Sequence, residues 1–140
     1  MKKNTLDLLL AIDKSKVQRP SKKVEMKRLS SAAGEPVIFT CQALTMEEMA
    51  EVQEISMSVS KRGELEEFNS NAAQIFTVVR GVVEPSLKDK SLLEAYNVNT
   101  PKQLLEDSRL LLPGEITQLY NVISGLSGYG EDSVQELKNE

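Results

Sequence analysis

The chain has 140 residues, 40% of them hydrophobic and 27% charged, with a formal net charge of −4; that is enough for one domain with a real core and too little for two. Histidine is absent and Cys41 is the single cysteine, which removes the commonest general base, the usual imidazole metal ligand, any intrachain disulfide and any thiolate zinc cage. Aromatic residues make up 4% and tryptophan is missing, so the core has to be assembled from Leu, Val, Ile and Met.

The charge is unevenly spread. Residues 1–30 carry nine Lys/Arg against three Asp/Glu, whereas residues 31–140 carry eight against eighteen. The positive excess gathers in "KSKVQRPSKKVEMKR", with Lys14, Lys16, Arg19, Lys22, Lys23, Lys27 and Arg28. A basic stretch of this kind can serve as a nucleic-acid arm, but it holds no aromatic residue to stack on a base, and the acidic remainder would repel phosphate. It also reads as a solvated linker, or as an arm that docks on an acidic face of its own domain or of a neighbouring copy.

Before the basic stretch, "NTLDLLLAIDK" sets Leu6, Leu9 and Leu10 on one short helical face. A helix this short needs something to pack against. Next, "VEMKRL" and "PVIFTCQAL" alternate apolar and polar positions (Val24, Met26 and Arg28; Val37, Phe39 and Cys41) and predict a β-hairpin joined through "SSAAGEP". Cys41 inside that apolar run reads as a small buried hydrophobe.

From Thr45 the signals turn helical. "TMEE" is a capping box, in which the Thr45 hydroxyl accepts from a free amide and Glu48 reaches back. Met46, Met49, Ala50, Gln53 and Met57 form one stripe, widened by Val52, Ile55 and Val59; the spacing predicts core, although methionines adapt well to partner surfaces, and Met46 and Met49 are candidates for such contact. "SKRGE" breaks the pattern. Leu65, Phe68, Ala72, Ile75, Val79 and Val82 then recur at intervals of 3, 4, 3, 4 and 3, an apolar seam suited to helix packing. Phe76 and Val78 stand off that seam and offer a second surface.

"VVEPSLKD" raises the question of a chemical site, with Glu84, Lys88 and Asp89 close in sequence. Pro85 instead ends the preceding helix, and Ser86 or Asp89 caps the next, "KSLLEAYNV", with Leu92, Leu93 and Tyr96 inward. "NTPKQLLEDSRLLL" restarts with Thr100 as cap, Pro101 at the first helical position and Gln103 completing a capping box. "LPGEITQLYNVISGLSG" opens on Pro113, carries Ile116, Leu119, Tyr120 and Ile123 on one stripe, and dissolves at Gly125, Gly128 and Gly130. The final "EDSVQELKNE" is acidic, with Val134 and Leu137 as its large apolar groups, and reads as a tail or as a segment that orders on a partner.

No Walker loop, Gly-x-Gly-x-x-Gly, His-Glu-x-x-His or Cys-x-x-Cys pattern occurs. "GLSGYG" follows a helix and lacks the strand-to-helix setting that cradles phosphate. The reading is therefore of a protein without catalytic, cofactor or metal residues. A signal peptide and an apolar run of about 18 residues are both missing, so a soluble intracellular protein is expected. The expected fold class is α+β, mainly α-helical: a small N-terminal β-hairpin followed by a bundle of about four to five helices. Residues 1–23 form a short helix and basic arm, 24–128 a globular domain, and 129–140 an acidic tail.

The segments Gly81 to Asp89, Thr100-Pro101, Leu111 to Ile116 and Ile123 to Gly128, with "FTCQALTMEEMAEVQ" before them, fall in an order that resembles the XkdN-like tail assembly chaperones of tailed bacteriophages and defective prophages. The resemblance covers about residues 24–128 and rests on structural, not catalytic, motifs. It implies a non-enzymatic chaperone that binds the tape measure protein, keeps it soluble in the host cytoplasm, and promotes tail tube protein polymerisation around it without remaining in the virion. It also implies the possibility of self-association and of a longer, frameshifted form. Leu6, Leu9, Leu10, Met46 and Met49 are the candidate partner-binding residues; nucleic acid and membrane are not expected partners. The rival reading is a nucleic-acid-binding phage or prophage regulator using the basic arm.

Overall fold

In the computed structural model, which describes residues 4–62, 70–129 and 134–137, the chain runs through seven α-helices and three strands among the described residues. The first helix, α1 (Thr5–Ala11), is capped by Asn4, whose side chain accepts from the Asp7 amide at 2.8 Å. A 3-10 turn at Lys14–Lys16 follows, capped in the same way by Asp13. The α+β, mainly helical class holds.

The sheet is antiparallel in the order β1-β2-β3, formed by β1 (Ser21–Glu25), β2 (Ile38–Gln42) and β3 (Val82–Glu84). Val24 pairs with Phe39, Lys22 with Cys41, and Thr40 with Glu84 across a register shift. Two features differ from the sequence expectation. First, "VEMKRL" does not continue as a strand, because α2 (Lys27–Ala33) starts at once. Met26 is buried in either geometry, so the Val24–Met26 alternation does not distinguish the two. The decisive signals are the helix-permissive "KRLSSAA" and Gly34, whose φ of 76° closes the helix with its amide on the Ser30 carbonyl. Second, the hairpin has a third strand. Helix α4 (Ser70–Gly81) stops short of Glu84, and Val82–Glu84 joins β2. Pro85 favours extended backbone at Glu84, and a three-residue strand is too short to show a period. The Glu84–Pro85 bond is cis.

Helix α3 (Met46–Arg62) and α7 (Pro113–Ser124) both pack on α4, with α6 (Pro101–Asp107) against it as well. This explains why Ala72, Ala73, Ile75, Thr77 and Val78 are all buried: the seam at Ala72 and Ile75 and the second surface expected at Val78 are both covered, with Phe76 half-buried. Val79 is only half-buried, and Leu65 and Phe68 lie outside the described residues. The stripe of α7 is as expected, with Ile116, Leu119 and Ile123 buried and Tyr120 half-buried. Leu87, from the "VVEPSLKD" stretch, is 1% exposed and joins this core, while Asp89 caps α5 (Lys90–Ala95) through the Leu92 amide. Leu92 and Leu93 are half-buried; Tyr96 is exposed and not inward. Thr100 caps α6 as expected, but Gln103 accepts from the Asn99 amide and not from the cap residue. After Ser124 the chain continues as a π-turn over Gly125–Tyr129; Gly130 is outside the described residues.

Candidate functional site

The sequence candidates fall on two separate elements. On α1, Leu6, Leu9 and Leu10 are 62%, 61% and 74% exposed, and no residue of the helix is buried. Three leucines at i, i+3 and i+4 make one continuous apolar face, and here that face meets solvent. Leu8, Ile12 and Val17 are exposed too.

The chain after α1 is stitched to the body at one place. Arg19 Nη1 donates to Glu48 Oε1 at 2.6 Å and to the Ala43 carbonyl at 3.4 Å, and the Ala43 amide donates to the Pro20 carbonyl at 2.9 Å. The same Glu48 completes the capping box of α3, accepting from the Thr45 amide at 3.0 Å while Thr45 Oγ1 accepts from the Glu48 amide at 3.2 Å. Partial burial works to raise the Glu48 carboxyl, but the Thr45 amide, the Arg19 guanidinium and the Thr45 hydroxyl outweigh it and hold it below the usual glutamate range. An exposed pair of this kind orients the arm more than it stabilises the fold.

On α3 the methionine stripe lies opposite to its expected place. Met46 is 86% and Met57 50% exposed, with Ala50 and Gln53 exposed between them. The side that faces the core is Val52 and Ser56, with Met49 half-buried at its margin. So the helix is not buried on several sides: Met46, Ile55 and Met57 point outward, and the Val59 side chain is outside the described residues. The carboxylates hold the clue. Glu47, Glu51 and Glu54 fall beside the Met46–Met57 row on the helical wheel, and a charged flank marks the solvent side. Met46 and the α1 leucines therefore present open surface, Met49 does not, and the structure does not bring the two sets together.

Elsewhere several polar groups are occupied by structure. A cleft of about 520 Å³ between β1–α2 and α7 contains Glu25, Lys27, Arg28 and Glu115. Its Glu115 is held by Arg28 at 2.8 Å and by the Leu112 amide at 2.7 Å. The Arg28 hydrogen bond first, then the Leu112 amide, keep that carboxyl low against partial burial. Arg80 pairs with Glu51 on the α3–α4 side. Cys41 is fully buried, and burial pushes its thiol up, away from nucleophilic reactivity. Among the described residues no group of three His, Cys, Asp or Glu side chains could hold a metal ion, and no helix is long and apolar enough to cross a membrane.

A family model described as phage XkdN-like tail assembly chaperone protein matches residues 6–140. The chain belongs to that family. The match takes in both α1 and the C-terminal segment, which lie outside the span that the sequence motifs cover. As a tail assembly chaperone, the chain has its role in tail assembly, among protein partners. The crystal structure of the protein yqbn is similar to this chaperone with a TM-score of 0.58 at 24% identity, over 77% of this chain and 86% of that one, a likeness of fold. Comparison with curated proteins gives no match.

Proposed function

We propose that this chaperone binds the tape measure protein, keeps its apolar helical segments soluble in the host cytoplasm, and promotes polymerisation of tail tube protein around it, without catalysis and without remaining in the finished particle. The observation that carries the reading is α1: seven residues, three leucines on one face, none of them buried, held out on a tether. A partner that is a long apolar helix is covered by many weak, repeated contacts of this type, not by one deep pocket.

A nucleic-acid role for the arm is less well supported. Two of its cations are already engaged, Arg19 with Glu48 and Arg28 with Glu115, which leaves lysines without an aromatic platform.

The test is co-expression with the tape measure protein followed by a pull-down. Wild-type chaperone should retain the partner in the soluble fraction, and Leu6→Asp/Leu9→Asp/Leu10→Asp should lower recovery at least about tenfold. Equal recovery by the two proteins would refute the assignment to α1, and mass spectrometry of purified particles should find the chaperone missing.

A further inference from the structure

The sheet ends on an open edge. Strand β1 is outermost in the order β1-β2-β3, and among the described residues no strand lies beyond it. The phase of the ladder fixes which groups that edge shows. The Met26 amide donates to the Val37 carbonyl at 2.9 Å, and the Ala43 amide to the Pro20 carbonyl at 2.9 Å. Even-numbered residues therefore bond to β2, and the amides and carbonyls of Ser21, Lys23 and Glu25 point away from it. The cleft of about 520 Å³ borders this edge on the Val24 side, with α7 lining its other side. Its apolar lining includes the half-buried Val24 and Val122, the exposed Leu112 and the buried Leu119. Lys22, Lys23 and Lys27 are exposed along the same stretch and make no ion pair among the described residues. Glu25 offsets one of these charges, and Glu115 is already held by Arg28.

We infer that β1 takes up an extended, acidic segment of another protein as a fourth strand. Main-chain bonds to Ser21, Lys23 and Glu25 hold it, and its alternate side chains enter the cleft. Its residues opposite Val24 and Met26 share the cleft's face and are apolar; those opposite Lys22 and Lys23 carry the acid. An edge of five residues is a weak template by itself, so the cleft and the lysines decide what it accepts. Two occupants from this chain fit poorly. A second β1 brings its own Lys22 and Lys23 to an edge that is already positive. In the C-terminal segment Val134 and Leu137 are three positions apart and fall on opposite faces when extended. The site is separate from α1, so the inference goes beyond the tape measure reading and stands without it.

The probe is a fluorescein-labelled peptide, Glu-Val-Thr-Val-Glu-Glu-Thr-amide, titrated with the purified full chain and read by anisotropy. Laid antiparallel, its valines meet Met26 and Val24 and its acidic pair meets Lys23 and Lys22. Binding should saturate below about 1 mM. Hydrogen exchange read by NMR should slow at the Lys23 and Glu25 amides and change little at Lys22 and Val24, which already bond to β2. Methylating the peptide nitrogens opposite Lys23 and Glu25 removes the donors that face β1 and should weaken binding at least about tenfold. Lys22→Glu/Lys23→Glu, confined to exposed side chains, should weaken it by about as much. Glu25→Pro removes an outward amide and leaves the bonds to β2 in place. It also deletes a carboxylate that repels the probe, so charge alone would strengthen binding; a loss of at least about fivefold is expected. Both variants should keep the wild-type far-ultraviolet circular dichroism, and the methylated peptide decides the same point on the unaltered chain. Absence of saturable binding, undiminished binding of the methylated peptide or by Glu25→Pro, or equal binding of a peptide with Lys in place of each Glu overturns the inference. So does slow exchange at Lys23 and Glu25 in the chain alone together with a dimer's mass, which would give the edge to a second copy.

Discussion

Arg28 and Glu115, 87 positions apart, meet in a two-pronged ion pair, with Nε on Oε2 at 3.1 Å and Nη2 on Oε1 at 2.8 Å. The same Nη2 donates to the Leu110 carbonyl at 2.7 Å. One guanidinium thus ties α2, next to the sheet, to the loop and first turn of α7. Glu115 serves twice, since it also accepts the Leu112 amide that opens that helix.

Glu115→Ala should therefore cost more than Arg28→Ala, because only the former leaves an amide at a helix start without its acceptor. About 1 kcal/mol is expected for Glu115→Ala, read as a lower urea midpoint at unchanged slope. Arg28→Ala should shift the midpoint in the same direction by less, and the double variant should lose less than the two single losses added together.

Gly81 is at the closest approach of α4 to α7. A Cβ there would stand 2.5 Å from Ile123 Cδ1 and 2.7 Å from both Cγ atoms, and Ile123 is fully buried. Gly81→Ala should destabilise by about 1–3 kcal/mol through overpacking. Ile123→Ala alone should cost about 2–5 kcal/mol as a cavity. Combined, the added methyl fills part of the space vacated, so the double variant should be more stable than the summed losses imply, measured by chemical denaturation.

Arg109 follows the last turn of α6 with φ at 64°, in the left-handed region, and is exposed. A side chain with a Cβ is strained there by roughly 1–2 kcal/mol. Arg109→Gly should be stabilising by about 0.5 kcal/mol once the greater freedom of glycine in the unfolded chain is subtracted, visible as a rise in Tm. Asn97, at φ 57°, tolerates the same region better because of its short polar side chain; Asn97→Ala should lower Tm.

Glu48 and Glu115 both have carboxyls lowered in the folded state. A group that binds its proton less tightly when folded stabilises the fold at pH values above its unfolded pKa, and that stabilisation is lost as pH falls toward and through the folded value. With no histidine in the chain, Tm should be nearly flat from about pH 7 to about pH 5 and should fall below about pH 4.3, the ordinary glutamate value. Arg19→Ala/Arg28→Ala should make that acid limb shallower; an unchanged limb would show that these pairs do not set it.

Legibility in the sequence followed length and chemistry. The caps Thr45, Asp89 and Thr100, the opening prolines 101 and 113, and the Ile116–Leu119–Ile123 stripe were all readable, because each depends on local backbone requirements. Strand β3 was not, since its partner is remote and its three residues carry no period. The α3 face shows the limit of periodicity. Its outward methionines and its inward Val52–Ser56 side both repeat at helical spacing, and a spacing cannot say which side turns in. The neighbouring carboxylates could have. For the candidate surface, Leu6, Leu9 and Leu10 were legible as an unpartnered face and Met46 as adaptable, but the exposure of the whole row was visible only once α4 occupied the other side.

The pairing of Thr40 with Glu84 gives the sheet a history. Strands β1 and β2, with α2 between them, are complete before α3 has been made, yet the outer rim of β2 waits roughly 44 positions for its last neighbour. At ordinary rates of synthesis that interval is about 2 to 9 seconds. During it a nascent chain displays an open strand rim, and sibling chains growing on the same messenger are the nearest extended segments able to zip onto it. The shortness of β2 limits the harm, because a five-residue rim is a poor template for a mistaken partner.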